Sequence, residues 1–360
     1  MNISLCIMVK DEFKELKNCL RAFKPLAKEI LLLDTGSNQK IKALAVEFGV
    51  KRFAFKWIDD FATARNEIIS KAQGDWIMMV DADDFIEKAS NKKLKKYLQA
   101  LPLKTEVISL PYIYNKFEGK TGNLAYLPRL WKRSLKLKYI YPIHEYLDLS
   151  DLDNEKVAYL DIPIIHNKAQ GDFTKSFERN LKLIKKYLEE KPEDLRMLYY
   201  LVHDSQQIKD HETVIWGAQK YLEANPINTV KLFKVLIRKG KAHAQLKQTL
   251  QAQEAFLLAM SINPLLIESY LELGNLYKNQ NLFPEAEHFY RCAMLCKKPK
   301  EGNDFHNQAL YDGFPMRQLS FLLSNMGKNE EALKYAREVF KSHPEDNKLK
   351  TYIETLNSKL

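Results

Sequence analysis

Residues 74–84 read Gly-Asp-Trp-Ile-Met-Met-Val-Asp-Ala-Asp-Asp and place spaced carboxylates directly after a short apolar run. The run Trp76–Asp81 is typical of a strand that is buried on both faces of a sheet. A strand that ends in Asp-x-Asp presents Asp81 and Asp83 on a tight turn at the sheet edge. Oxygen ligands of this kind hold Mg²⁺ or Mn²⁺ and leave positions for phosphate oxygens. Because Asp pairs are also common in ordinary turns, the motif needs support from its surroundings.

Apolar runs of the same kind precede this stretch and alternate with helical patterns. Strands are predicted at Ile3–Val9, Glu29–Asp34 and Lys51–Phe55, and helices at Phe13–Ala27, Ile41–Phe48 and Ala62–Ala72. This alternation predicts a mostly parallel sheet covered on both faces, in a doubly wound, Rossmann-like α/β domain. Ligands bind beyond the carboxyl ends of the strands in such a sheet. The acids that fall at those ends are Asp11, Glu12, Asp34, Asp81, Asp83 and Asp84.

Residues 107–166 are predicted to complete this domain with further strands, some of them antiparallel. The segments 107–115, 124–132 and 157–166 carry the β pattern. His144 and His166 each follow an apolar stretch in this region. Lone histidines are more often structural than catalytic, so the alternatives are a packing role and a return to the candidate metal site.

Basic residues offer a second set of candidates. Arg65 begins a predicted helix near the strand ends, where its fork of donors suits a nucleotide base or a pyrophosphate. The alternative for Arg65 is a surface ion pair with Asp59 or Asp60. The densest basic stretch, 129–138, carries five cations and no acid. It is either a solvated loop and helix face or a surface that faces an anionic ligand.

From about residue 173 the pattern is helical and repetitive. Gly240 and Gly274 are 274 − 240 = 34 residues apart, and the pairs Ala252/Ala286, Phe256/Tyr290 and Ala259/Ala293 share this spacing. It is the tetratricopeptide period, in which small residues lie where two helices touch. Three or four helix pairs are therefore predicted to stack into an all-α solenoid. The predicted domains are 1–170 and 171–360.

Composition excludes several classes of protein. The chain has 360 residues and only four cysteines, which argues against a disulfide scaffold. No apolar run approaches the ~18 residues of a membrane span, and we expect a cytoplasmic protein without stable membrane insertion. The net charge of +10 is spread along the chain, which disfavours nucleic-acid binding. No Gly-rich dinucleotide fingerprint or P-loop is present, which argues against a dehydrogenase and a P-loop enzyme.

Six motifs occur in an order that resembles a known family. They are Val-Lys-Asp-Glu at 9–12, Asp-Thr-Gly-Ser at 34–37, Trp-x-Asp-Asp-Phe-x-x-Ala-Arg-Asn at 57–66, the stretch 74–84, Arg-Leu-Trp-Lys at 129–132 and Ile-His-Glu at 143–145. Together they resemble family 2 glycosyltransferases with the GT-A fold. The whole chain resembles the subgroup with C-terminal tetratricopeptide repeats, which includes the peptide S-glycosyltransferases of glycosylated bacteriocins.

This resemblance implies a metal-dependent, inverting glycosyltransferase of the hexosyltransferase class. The donor is a nucleotide-sugar, usually a UDP-sugar, and the acceptor is a peptide or protein side chain. Carried over residue by residue, it assigns the nucleotide contacts to Val9, Asp34, Arg65, Asp81 and Asp83, the Mn²⁺ or Mg²⁺ ligands to Asp83, His166 and Asp81, and the catalytic base to Glu145, with His144 as the alternative base.

Two other functions stay open at this point. One is transfer to a lipid-linked sugar or a cell-surface polysaccharide. The other is a non-catalytic tetratricopeptide adaptor with a degenerate α/β domain. By analogy, the repeat array favours a peptide acceptor held by the repeats. The identity of the sugar and of the linkage atom also stays open. So does the question whether the solenoid edges form a homodimer.

Overall fold

A computed structural model describes most of the chain in two compact units, Met1–Asp172 and Phe173–Leu360. The described residues are 1–36, 38–113, 116–117, 120–121, 124–166, 173–227, 229–299 and 308–360. The predicted domain boundary after residue 170 lies outside them.

The first unit is built on a mixed sheet. Its strands in chain order are β1 Ile3–Val9, β2 Glu29–Asp34, β3 Lys51–Ala54, β4 Trp76–Asp81, β5 Asp84–Phe85, β6 Val107–Ile113, β7 Lys116–Phe117, β8 Lys120–Thr121, β9 Leu124–Lys132, β10 Tyr139–Ile140, β11 Tyr146–Leu147, β12 Val157–Tyr159 and β13 Ile164–His166. In the described residues the main sheet has the order β3-β2-β1-β4-β9-β6-β13-β5, with β12 beside β6. Strands β1 to β4 are parallel, and β9 runs antiparallel to both of its neighbours. The predicted α/β sheet with some antiparallel strands is therefore confirmed.

Helices cover both faces of this sheet. They are α1 Phe13–Phe23, α2 Gln39–Phe48, α3 Phe61–Ser70 and α4 Lys88–Gln99. Helix α1 ends at Phe23, earlier than predicted, because Pro25 cannot continue it and Lys24–Leu26 forms a 3-10 turn instead. Helix α3 begins at Phe61 because Asp60 caps it, with Oδ1 2.8 Å from the Thr63 backbone nitrogen.

The alternation of side chains along each strand divides the core between the two faces. On one face Leu5 and Leu32 pack in a cluster with Leu16 of α1. On the other face Cys6 packs in a cluster with Ile68 of α3. Because both faces are covered, polar ligands can reach this sheet only at its edges, and the carboxyl ends of β1, β2 and β4 share one edge.

The second unit consists of antiparallel helix pairs. Its α-helices are α5 Thr174–Glu190, α6 Leu195–Gln207, α7 His211–Glu223, α8 Val230–Gln245, α9 Thr249–Ile262, α10 Ile267–Asn279, α11 Phe283–Leu295, α12 Phe314–Asn325, α13 Asn329–Ser342 and α14 Asn347–Asn357. Gly240 of α8 faces the ring of Phe256, and Gly274 of α10 faces Tyr290 in the same way. These contacts explain the period of 34 residues. No helix in the described part of the chain combines the length and apolar character that a bilayer crossing needs.

Candidate active site

The ends of β1 and β2 lie side by side and carry the first two predicted contacts. Val9 is the register partner of Asp34, and its carbonyl oxygen accepts a hydrogen bond from the Thr35 backbone nitrogen at 2.9 Å. Asp34 is fully buried. Its Oδ2 accepts from Arg52 Nε at 2.7 Å, and its Oδ1 accepts from the Gly36 backbone nitrogen at 3.0 Å. These contacts fix the orientation of the Asp34 carboxylate.

Arg65 connects the end of β4 with a loop far away in the chain. Its Nη2 donates to Asp81 Oδ1 at 2.7 Å, and its Nε donates to Glu145 Oε1 at 2.7 Å. The arginine is 8% exposed. The alternative of a surface ion pair with Asp59 or Asp60 is therefore wrong, since Asp60 instead caps α3.

The loop that carries Glu145 is tied to α3 by two further contacts. The Phe61 backbone nitrogen donates to the Pro142 carbonyl at 2.8 Å. The Asn66 side chain both accepts from and donates to the Tyr139 backbone, each time at 2.8 Å. His144 adopts a positive φ of 50° next to Glu145. Helix α3 thus brings the Glu145 carboxylate to the edge of the sheet.

A second cluster combines two carboxylates and an imidazole. Asp83, Asp84 and His166 each offer a ligand atom, and these atoms lie within 4.8 Å of one another. His166 arrives because β13 pairs antiparallel with β5, which places it opposite Asp84. The Tyr112 hydroxyl lies 2.7 Å from both Asp84 Oδ1 and His166 Nδ1. Asp81 does not belong to this group.

The sequence pattern predicts no role for Asp84, although this residue ends the motif at 74–84. It is 1% exposed, and its Oδ2 accepts from the Asp81 backbone nitrogen at 2.9 Å. The pairing of β5 with β13 brings Asp84 beside His166. No sequence pattern predicts this pairing.

Arg129 corrects the interpretation of the basic stretch 129–138. Its side chain is buried, with Nη2 3.4 Å from Asp84 Oδ2 and 3.8 Å from Asp81 Oδ2. Its guanidinium carbon lies 4.4 Å from the centre of the Tyr112 ring. Arg129 is therefore part of the acidic site and does not belong to a solvated surface.

The charges in this cluster move its pKa values in opposite directions. Burial would raise the pKa of Asp81, but the positive charges of Arg65 and Arg129 outweigh it and hold that pKa well below the usual range. Burial raises the pKa of Asp83 to about 6, opposed by His166 and reinforced by the charge of Asp81. Burial would lower the pKa of His166, but its hydrogen bond to Asp84 and the nearby carboxylates raise it.

The donor set of Asp83, Asp84 and His166 fits a divalent cation. Carboxylate oxygens are the ligands that Mg²⁺ prefers, and an imidazole beside them also suits Mn²⁺. Burial, with smaller contributions from the charges of Asp81 and Asp84, raises the pKa of Asp83, and a bound cation would favour its charged form. The Asp81 carboxylate differs because its oxygens face Arg65 and Arg129.

Comparisons with known families match both halves of the chain. The family described as glycosyl transferase family 2 matches residues 4–152. The tetratricopeptide repeat matches residues 233–264.

Curated proteins of both kinds are similar to parts of the chain. A TPR repeat-containing protein of Synechococcus elongatus is 30% identical over 53% of this chain and 49% of its own length. The prophage-derived glycosyltransferase SunS of Bacillus subtilis is 28% identical over 64% of this chain and 54% of its own length. The chain thus spans about half the length of the curated relatives it matches.

Solved structures are similar to about half of the chain. MamA from Desulfovibrio magneticus has a TM-score of 0.39 and 16% identity, over 50% of this chain and 99% of its own. A TPR protein of Thermus thermophilus has a TM-score of 0.37 and 18% identity, over 51% of this chain and 91% of its own.

Proposed function

We propose that this chain, whose residues 4–152 form a family 2 glycosyltransferase domain, transfers a sugar from a nucleotide-sugar to a peptide or protein side chain with inversion. One observation carries the proposal. The group of Asp83, Asp84 and His166 lies at the carboxyl edge of the sheet, beside the arginine that connects Asp81 with Glu145.

The nucleotide, with UDP as the proposed carrier, binds across the ends of β1, β2 and β4. Asp34 accepts hydrogen bonds from the base, because a carboxylate offers about four acceptor sites and Arg52 and Gly36 use two of them. Val9 lines the same edge. Arg65 reaches the nucleotide through Nη1, which is buried and has no hydrogen-bond partner in the described residues.

Asp83 and His166 hold the divalent cation, and Asp84 is the third residue of the donor set. When bound, Mg²⁺ or Mn²⁺ offsets the negative charge that develops on the departing diphosphate. The carboxylate oxygens of Asp81 are paired with Arg65 and Arg129. Asp81 therefore orients Arg65 and borders the nucleotide. Its role as a metal ligand stays a prediction.

Glu145 acts as the catalytic base. Its Oε1 is held by Arg65, while Oε2 accepts no hydrogen bond from the described residues and can take the proton of the acceptor. The acceptor atom attacks the anomeric carbon from the face opposite the leaving nucleotide, so a single displacement inverts the configuration. His144 remains the alternative base.

The proposal of a peptide acceptor rests on the resemblance to peptide S-glycosyltransferases with tetratricopeptide repeats and on the repeat unit itself. Stacked helical repeats form extended concave binding surfaces, so by analogy the repeats are proposed to hold the acceptor.

A screen of nucleotide-sugars tests this function. The purified chain is incubated with each donor and Mn²⁺, with and without a chelator, and free nucleotide is measured. We expect one donor to be hydrolysed in a metal-dependent reaction that Asp83→Asn abolishes. Mass spectrometry of peptides incubated with that donor then identifies the acceptor. If no donor is hydrolysed in a metal-dependent reaction, the interpretation as a non-catalytic adaptor replaces the interpretation as an enzyme.

A further inference from the structure

A cavity opens within the second unit, among helices that each begin a helix pair. Helices α6, α8 and α10 pack side by side, and side chains from all three line a space of about 670 Å³. Its apolar part includes Val214, Phe256 and Leu276, which are buried. The proposed transfer mechanism uses none of the lining residues, because all of its own residues lie in the first unit.

The charged residues that line this cavity are mostly basic. They are Lys209, Arg238, Lys241, Lys278 and Glu272. The one acid among them is already paired, since Lys241 Nζ lies 2.8 Å from Glu272 Oε1. The other three cations form no ion pair with any residue that the structure describes. The cavity therefore presents an excess of positive charge that an anionic ligand would neutralise.

Neutral side chains hold two of these cations in place. Arg238 Nε donates to Gln206 Oε1 at 3.1 Å, and its guanidinium carbon lies 5.1 Å from the centre of the Tyr199 ring. Lys278 Nζ donates to Gln318 Oε1 at 3.3 Å, and burial lowers the pKa of Lys278. A carboxylate beside Lys278 would favour its charged form, and no existing ion pair has to break first.

Amide side chains supply much of the remaining polar lining. They are Gln206, Gln245, Asn275 and Asn279. Each amide carries both donors and an acceptor, which match the N–H and C=O groups of a peptide main chain. A DNA backbone offers acceptors but no N–H donor. The combination of cations and amides therefore favours an acidic peptide over a nucleic acid.

We propose that this cavity binds an acidic segment of the acceptor peptide. Carboxylate side chains of the peptide pair with Lys209, Arg238 and Lys278, and the amides bind its main chain. The inference rests on the proposed function only for the role of this peptide as the acceptor. It adds that the acceptor is recognised by negative charge at a distance from the modified side chain.

Two labelled peptides that differ only in charge test the proposal on the full chain. One carries glutamates separated by serine and glycine, and in the other every glutamate is replaced by glutamine. Fluorescence anisotropy measures their affinities in the absence of nucleotide-sugar. We expect the acidic peptide to bind at least about fivefold more tightly, and the difference to shrink as salt is added. Equal affinity of the two peptides would overturn the proposal.

Charge-matched variants locate the bound peptide. Arg238→Gln with Lys278→Gln should weaken binding of the acidic peptide about fivefold. Lys334→Gln with Arg337→Gln, which removes the same two kinds of charge from exposed positions of α13, should leave it unchanged. If thermal melting shows that the first variant is unfolded, Lys209→Gln with Lys278→Gln takes its place, since Lys209 is exposed. Equal effects of the cavity and control pairs would overturn the site.

A labelled oligothymidylate of the same net charge distinguishes a peptide from a nucleic acid. We expect it to bind at least about fivefold more weakly than the acidic peptide, because its backbone leaves the amide acceptors without donors. Equal or tighter binding that the cavity substitutions also weaken would show a general site for polyanions and would overturn the proposal.

The binding measurements separate this inference from the proposed catalytic function. If a nucleotide-sugar is hydrolysed but the two peptides bind equally, the enzyme stands and the acidic preference is overturned. If the acidic peptide binds through the cavity but no donor is hydrolysed, the peptide site stands and the transferase function does not.

Discussion

Arg65 joins two carboxylates that are distant in the sequence. Asp81 lies 16 residues and Glu145 lies 80 residues from it, yet both side chains are 2.7 Å from its guanidinium. A planar fork of donors can hold two carboxylates in fixed positions, which a lysine cannot. Arg65 therefore fixes the two carboxylate groups relative to each other, in addition to the contacts of Phe61 and Asn66 that hold the Glu145 loop.

Removing that side chain should destabilise the protein. Arg65→Met removes a buried cation from the half-buried Asp81 and Glu145, and breaking a buried ion pair costs about 3–5 kcal/mol. We expect a loss of that order in the free energy of unfolding, measured by urea denaturation. Lys51→Met, which removes an exposed partner of Glu29, should cost less than about 1 kcal/mol. Equal losses would contradict the central position of Arg65.

Glu145→Gln should separate chemistry from binding. The amide keeps the shape of the side chain but cannot accept the acceptor proton, so turnover should fall by about 10²–10⁴-fold. The affinity for UDP with Mn²⁺, measured by calorimetry, should stay within about twofold. Glu106→Gln, which changes a carboxylate paired with Lys156, should keep full turnover. If Glu145→Gln does too, His144 becomes the candidate base.

Asp83→Ala should remove the effect of metal on nucleotide binding. Because Asp83 supplies one of the ligand atoms of the candidate metal site, its loss should lower the affinity for UDP in the presence of Mn²⁺ at least about tenfold. In the presence of a chelator, the variant and the original chain should bind UDP equally. Asp151→Ala, at an exposed position, should retain the metal effect. A metal effect that survives in Asp83→Ala would rule out its role as a ligand.

At the scale of the elements, the close contacts inside the helix pairs determine the spacing of the repeats. A Cβ atom on Gly274 would lie 2.6 Å from Cε1 of Tyr290, and Tyr290 is fully buried. Helices α10 and α11 can approach this closely only because the glycine has no side chain.

Gly274→Ala should therefore destabilise the second unit by about 1–3 kcal/mol, the usual cost of overpacking. Gly217→Ala is the control, since its Cβ would meet Leu201 Cδ2 at 3.0 Å and Val202 Cγ2 at 3.2 Å, both longer than the contact at Gly274. The gain in helix propensity, about 1 kcal/mol, should offset these contacts. Thermal melting followed by circular dichroism compares the two. Equal melting temperatures would mean that α11 can move away at little cost.

The sequence predicted the elements better than their partners. Apolar runs and the period of 34 residues located the strands and helix pairs, because periodicity is a local property of the chain. The contact of Arg129 with Asp84 joins residues 45 positions apart through the pairing of β9 and β4. No local pattern carries that information, so the sequence predicts neither the burial of Arg129 nor a role for Asp84.

At the scale of the whole molecule, each unit has a hydrophobic core of its own. Leu5 and Cys6 belong to clusters formed within the first unit, and Tyr290 belongs to one formed within the second. A domain with its own core can fold alone in principle.

Fragments 1–172 and 173–360 should accordingly each unfold in a cooperative thermal transition. Fragment 1–172 should retain metal-dependent binding of UDP, because all the proposed nucleotide and metal residues lie in it. Circular dichroism and calorimetry provide the two measurements. An unfolded first fragment would mean that its core is completed by the second unit.

The Cys19 thiol lies beneath the end of β4 and is fully buried, with Sγ 3.4 Å from the carbonyl oxygen of Asp81. Burial, reinforced by the charge of Asp84, raises the pKa of this thiol well above its ordinary value. An alkylating reagent can reach Cys19 only while helix α1 and the strand end separate. The labelling rate of the Cys19 sulfur would thus report how often this edge of the sheet opens. Binding of the nucleotide-sugar and the metal at the edge should slow the labelling.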